Sequence, residues 1–120
     1  MEKKILIVDD AVFVRKVTEE VLMKAGYTNI FHAGTAKEAK TIFEEQNPDL
    51  IVLDVTLPDC DDLALCQEFL IRKKDAKIII YSAVTQQLVI DEAKKMGVLA
   101  YINKPMEPAD FIKLVDENLK

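Results

Sequence analysis

The sequence predicts an α/β domain with a parallel sheet of five strands, in the order 2-1-3-4-5, sandwiched between helices in a three-layer, doubly wound (βα)5 arrangement. Three observations predict it. Short apolar runs recur along the 120 residues without internal polar alternation. Unbroken apolarity is what strands covered on both faces require. Between the runs the apolar period changes to that of a helix. Right-handed crossovers between successive parallel strands then leave few topologies to consider.

The elements follow in order. Ile5-Leu6-Ile7-Val8 is the first strand. Val14, Val17, Val21 and Ala25 form one helical stripe, and Gly26 stands where a left-handed residue ends a helix. Asn29–Ala33 is a weaker run, which suits an edge strand. Thr35-Ala36-Lys37-Glu38 reads as a capping box, with Ala39, Ile42 and Phe43 facing inward from the second helix. Leu50-Ile51-Val52-Leu53 is the third strand, and Leu65, Phe69 and Leu70 serve the third helix. Ile78-Ile79-Ile80-Tyr81 is the fourth strand. Val89, Ala93 and Met96 serve the fourth helix, which Gly97 stops. Leu99-Ala100-Tyr101-Ile102 is the fifth strand. Pro108 fits the first turn of the last helix, whose inward residues are Phe111, Leu114, Val115 and Leu119.

Composition narrows the function. Half of the residues are hydrophobic, which excludes a disordered chain. No apolar run approaches the ~18 residues that span a bilayer, and the first residues lack the apolar core of a secretory leader. The expected location is therefore cytoplasmic, without membrane insertion. Sixteen basic against 21 acidic residues give a net charge of −5, which argues against direct nucleic-acid binding. Two cysteines, Cys60 and Cys66, make no disulfide framework, and one histidine, His32, makes no nitrogen-rich metal site. Residues 1–120 read as one domain.

In a doubly wound sheet the functional crevice lies beyond the carboxyl ends of the strands. Asp9 and Asp10 end the first run, Asp54 the third and Ser82 the fourth, while the fifth leads into Asn103-Lys104-Pro105. Each has an ordinary reading: helix cap for Asp9, Asp10 or Ser82, loop start for Asp54, solvated surface for Lys104. All of them on one rim is the less ordinary case. Clustered carboxylates repel unless a cation intervenes, and oxygen-only ligands favour Mg²⁺ over zinc or copper. A lysine and a hydroxyl beside them suit phosphoryl oxygens. The chemistry predicted is Mg²⁺-assisted phosphoryl transfer centred on an aspartate, with the carboxylate as nucleophile.

The segments Ile5–Asp10, Pro48–Asp54, Leu57-Pro58, Tyr81-Ser82-Ala83 and Gly97 through Pro105 together resemble the response-regulator receiver domain of two-component signalling, of the stand-alone chemotaxis type, which has the flavodoxin-like architecture. The resemblance runs from end to end. It implies that Asp54 accepts a phosphoryl group from a phosphohistidine on a sensor histidine kinase or phosphotransfer protein. It also implies that Asp10 and Asp54 ligate Mg²⁺ directly, that Asp9 helps through water or nearby, and that the backbone carbonyl of Thr56 completes the set. Lys104 would contact the phosphoryl group, across a cis bond to Pro105. Ser82 and Tyr101 would form a switch that alters the face of the fourth helix, fifth strand and fifth helix for a downstream protein. The chain would act as a phosphoacceptor rather than an enzyme, as a monomer or a weak phosphorylation-dependent dimer.

The sequence departs from the family pattern in Asp59-Cys60-Asp61-Asp62, where Asp62 replaces the usual glycine. This acidic stretch reads as a solvated loop that caps the third helix. Thr56 and Val84 occupy the two variable positions thought to tune dephosphorylation. Neither brings a carboxylate or amide to orient water, so the expected phosphoryl lifetime is minutes or longer. Phe13 reads either as core or as standing over the site. His32 reads as structural or solvated, and Arg72-Lys73-Lys74-Asp75 as a solvated turn. Cys60 and Cys66 read as small hydrophobes. The alternative function is a degenerate receiver that binds a partner without phosphorylation. A Mg²⁺-dependent phosphatase fits less well, because its second acid stands two residues beyond its nucleophile, whereas Asp9 and Asp10 are adjacent. A flavodoxin-like electron carrier would need a hydroxyl-rich phosphate loop after the first strand, which is lacking.

Overall fold

The computed structural model describes residues 2–61 and 63–120. Strands and helices alternate throughout: β1 (Lys4–Val8), α1 (Val12–Lys24), β2 (Asn29–Ala33), α2 (Ala36–Gln46), β3 (Leu50–Leu53), α3 (Ala64–Arg72), β4 (Ile78–Ser82), α4 (Gln87–Met96), β5 (Ala100–Asn103) and α5 (Pro108–Leu119). The pairings between these strands are parallel, in the order β2-β1-β3-β4-β5.

Alternation along each central strand divides the interior in two. Ile5, Ile7, Leu50, Val52 and Ile79 face Leu22 of α1 and Phe111, Val115 and Leu119 of α5. Leu6, Val8, Ile51, Leu53, Ile78 and Ile80 face α2, α3 and α4, where the Phe43 and Phe69 rings stack with centroids 4.3 Å apart. Burying one such aliphatic side chain contributes roughly 1.5–3 kcal/mol. The central strands thus supply both cores, which is why their sequences carry no polar alternation.

The helix punctuation is local. At the end of α1 the Tyr27 and Gly26 amides donate to the Leu22 and Met23 carbonyls (both 3.0 Å), and Gly26 takes a φ of +99°. This is a Schellman ending, in which glycine avoids the Cβ penalty. Gly97 ends α4 with a φ of +101°. The capping box at α2 forms with one shift: the Glu38 amide donates to Thr35 Oγ1 (3.1 Å), while the Glu38 carboxylate accepts from the Gly34 amide (2.9 Å), one residue before the cap.

Three expectations need correction. The stripe of α1 is centred on Thr18 and Leu22, which are buried, whereas Val17 is 44% exposed. Thr18 is admitted because its hydroxyl donates to the Val14 carbonyl (2.9 Å), so no polar group is stranded. The fifth strand runs Ala100–Asn103, one residue later than the apolar run, and is half-buried because it forms the sheet edge. Arg72 belongs to the last turn of α3 and pairs with Glu68 (3.0 Å) and Glu44, so it ties α3 to α2 instead of lying in a solvated turn.

Candidate functional site

The rim is built by the sheet itself. Beyond the last paired residues, the Asp9 amide donates to the Ala33 carbonyl (3.0 Å), the Asp54 amide to Val8 (2.8 Å) and the Lys104 amide to Ser82 (3.0 Å). The backbones of Asp9, Asp54 and Lys104 are thus held by further rungs of the ladder. A side chain mounted this way is positioned by the most rigid part of the molecule.

Their side chains meet. Lys104 Nζ lies 2.5 Å from Asp9 Oδ2 and 2.8 Å from Asp54 Oδ2, so one ammonium bridges two carboxylates that are each 4% exposed. Asp9 Oδ1 accepts the Ala11 amide (2.9 Å). Asp54 Oδ1 accepts both the amide (3.1 Å) and the hydroxyl (3.0 Å) of Thr56. Burial alone would raise the Asp54 pKa, but the Lys104 and Thr56 hydrogen bonds outweigh it and hold the carboxyl below its ordinary range. Burial would likewise weaken the charged form of Lys104, yet Asp54 and Asp9 together keep its pKa raised.

Asp10 differs from its neighbour, because its carboxylate is exposed. Oxygens of Asp9, Asp10 and Asp54 nevertheless lie within 4.8 Å of one another. Among the described residues this is the cluster able to hold a metal, and its donors are all oxygen, which suits a small hard cation. Two carboxylates sharing one ammonium, with a third beside them, also leave negative charge for such a cation to balance.

Ser82 is fully buried, and its hydroxyl accepts the Val84 amide (3.2 Å). The Tyr101 hydroxyl donates to the Val84 carbonyl (2.7 Å). Ser82 and Tyr101 are therefore linked through the backbone of one residue, the half-buried Val84. The Lys104–Pro105 bond is cis. Phe13 is 77% exposed and lines a groove with Val17, Tyr81, Lys104 and Pro105, so it stands beside the rim rather than in the core.

The acidic loop after β3 behaves differently from its expected role. Asp59 accepts the Ala36 (2.7 Å) and Lys37 (3.1 Å) amides, so it caps α2 and not α3. Those backbone hydrogen bonds, led by that of Ala36, lower its pKa. The start of α3 at Leu63 has no side-chain cap among the described residues. Asp59 thus caps a helix that starts 23 residues before it in the chain, on the same side of the sheet as α3, which is why sequence distance misled. The expectation for Asp62 lies outside the described residues. His32 Nε2 contacts Glu19 Oε2 (2.9 Å), so it is structural. Cys66 is buried, which pushes its thiol up to about 11, whereas Cys60 is half-exposed.

Two residues beside the rim carried no signal in the sequence. Arg15 donates to the Asp9 carbonyl, between the two acidic residues, and a Cβ on Gly34 would come within 3.1 Å of its guanidinium. A glycine just after an edge strand is the only hint of that close approach. Tyr81 reads in the sequence as one more strand residue. Its ring lies 5.6 Å from Lys104 Nζ, and its hydroxyl accepts the Met106 amide (3.2 Å).

Comparison with known proteins agrees with this geometry. Residues 5–116 match the response regulator receiver domain. The chain is 34% identical over 117 residues to the chemotaxis protein CheY of Thermotoga maritima, covering 98% of each chain. Its fold resembles a CheY-like receiver domain from Methanospirillum hungatei (TM-score 0.92, 28% identity, 98% of this chain and 93% of that one). It also resembles the CheX–CheY–BeF3–Mg²⁺ complex from Borrelia burgdorferi (TM-score 0.89, 26% identity, 96% and 87%). The chain belongs to the response regulator receiver domain family, a CheY-like member of a class of signalling domains governed by phosphorylation.

Proposed function

For a receiver domain with this rim, we propose that Asp54 is the phosphoacceptor and that a phosphohistidine on a sensor kinase or phosphotransfer protein is the donor. The observation that carries the proposal is the bridge of Lys104 between the buried carboxylates of Asp9 and Asp54. An Asp54 carboxylate oxygen forms a bond to phosphorus as the phosphorus–nitrogen bond breaks. The electron pair leaves with the imidazole, which takes up a proton. Asp54 is suited to this because the Lys104 and Thr56 contacts keep it ionised. Lys104 then exchanges a carboxylate partner for phosphoryl oxygens.

Asp9, Asp10 and Asp54 would hold Mg²⁺, with the Thr56 carbonyl as a further ligand. When bound, Mg²⁺ supplies neutralising charge for the transferring phosphoryl oxygens. The Borrelia burgdorferi relative, solved with BeF3 and Mg²⁺, supports this pairing of metal and phosphoryl-like group. Ser82 lies one backbone link from Tyr101 through Val84, which supports a switch in which the Ser82 hydroxyl leaves the Val84 amide for the phosphoryl group. Tyr101 would follow, changing the face of α4, β5 and α5 for a downstream partner. The CheX complex is a precedent for a protein partner on a relative.

The test is intact-mass analysis after incubation with acetyl phosphate, with and without Mg²⁺. A single Mg²⁺-dependent phosphoryl adduct is expected on the wild type and none on Asp54→Asn. An adduct of equal yield on Asp54→Asn would reject Asp54 as the acceptor.

A further inference from the structure

Tyr81 and Ser82 are neighbours on β4, so alternation sends their side chains to opposite faces of the sheet. Ser82 goes to the α2–α4 side, while Tyr81 joins Ile79 on the α1/α5 side. There the Tyr81 ring packs against Phe111 with centroids 5.7 Å apart. Packing under α5 explains the ring but not the rest of its contacts. The ring lies 5.6 Å from Lys104 Nζ, and the hydroxyl accepts the Met106 amide (3.2 Å). One side chain thus grips the segment 104–106 on both sides of Pro105.

Lys104 needs such a grip. Its ammonium sits between two carboxylates and has to change anionic partner when a phosphoryl group arrives. Aromatic faces attract ammonium groups within about 6 Å of the centroid, whatever anion the cation also faces. The ring is therefore a partner that Lys104 keeps during the exchange, and the hydroxyl fixes the backbone from which Lys104 extends.

We propose that Tyr81 is a positioning residue for Lys104, holding the ammonium over the rim through its ring and the following loop through its hydroxyl. The proposal rests on Asp54 being the phosphoacceptor, and it deepens that reading by adding a residue outside the charged cluster.

Two measurements on the full chain test it. NMR of the Lys104 side chain reads the ring directly, because ring currents shift the terminal methylene protons. Tyr81→Phe is expected to preserve that shift, and Tyr81→Leu to abolish it. In the second measurement, the Mg²⁺-dependent rate of Asp54 phosphorylation by acetyl phosphate is expected to fall about three- to tenfold in Tyr81→Leu, because an ammonium no longer held by the ring is less often placed for the incoming phosphoryl group. Tyr81→Phe should recover most of that loss. Tyr81→Met is the second non-aromatic variant should the leucine fail to fold, and it is expected to behave like it. An unchanged Lys104 resonance, or an unchanged rate, in a folded non-aromatic variant overturns the proposal. Failure of the wild type to take a phosphoryl group would instead reject the acceptor reading, while the resonance still judges the Tyr81–Lys104 contact.

Discussion

The two ends of the sheet use similar polar groups to opposite effect. At the amino end, the Lys4 amide donates to Asp49 Oδ2 (2.8 Å), and the Tyr27 hydroxyl donates to Asp116 Oδ1 (2.5 Å). Asp116 also pairs with Lys120 (3.4 Å) in the last turn of α5. Each of these carboxylates has its own donor and lies near water, so no two of them compete for one partner. At the carboxyl end, Asp9 and Asp54 share the ammonium of Lys104, and Asp10 brings a third negative charge. Like charges held together in a poorly solvated place cost stability. The difference teaches where function resides: the amino end is satisfied by the fold, whereas the carboxyl end gathers charge that the fold leaves only partly balanced.

The largest expected effect is at the shared ammonium. Lys104→Met should lower unfolding free energy in metal-free buffer by about 3 kcal/mol, near the low end for breaking a buried pair, since the rim opens to solvent at Asp10. Urea unfolding measures it. Added Mg²⁺ should restore much of the loss, because a cation again covers the stranded carboxylates. A loss unaffected by Mg²⁺ would mean that Lys104 stabilises by packing alone.

Metal linkage comes next. At about a hundred times its dissociation constant, Mg²⁺ should stabilise the wild type by about 2.7 kcal/mol. Asp10→Asn should blunt that response while leaving metal-free stability unchanged or slightly raised, because it removes a charge from a like-charged cluster. A full Mg²⁺ response in this variant would break the contrast between the ends.

The smallest effect belongs to the amino end. Tyr27→Phe should cost about 0.5–1.5 kcal/mol, the ordinary net value of a hydrogen bond, with no change in Mg²⁺ response or phosphorylation. Burial first, then Asp116, raises the Tyr27 pKa from 10.0 to about 12. With the folded value above the unfolded one, the stabilisation is complete below the ordinary tyrosine range and is lost as pH rises through about 12. Unfolding titrations of the wild type and Tyr27→Phe should therefore agree in shape at neutral pH and diverge in that alkaline window. Coincident alkaline limbs would show that Tyr27 titrates alike in both states.

How far the sequence could be read depended on the reach of each interaction. Ile5–Val8, Leu50–Leu53 and Ile78–Ile80 had to be apolar throughout because both faces of the sheet are covered, so their runs declared the strands, and the right-handed crossover rule narrowed the sheet order. The capping box at Thr35 and the glycine ending of α1 were legible because their hydrogen bonds close within a few residues. Asp9, Asp10, Asp54 and Lys104 were legible for a different reason: the ends of parallel strands converge on one rim, so strand order alone brings distant residues together.

Contacts that cross the fold were not legible. Asp59 caps a helix that precedes it in the chain, Arg15 reaches the Asp9 carbonyl over Gly34, and Tyr81 joins Lys104 to Met106. By itself the sequence determined which residues meet at the rim, because periodicity and strand order are properties of the backbone. Only the tertiary structure decided how they are held, since one lysine's choice of two carboxylates, and the aromatic face beside it, depends on side-chain packing in three dimensions.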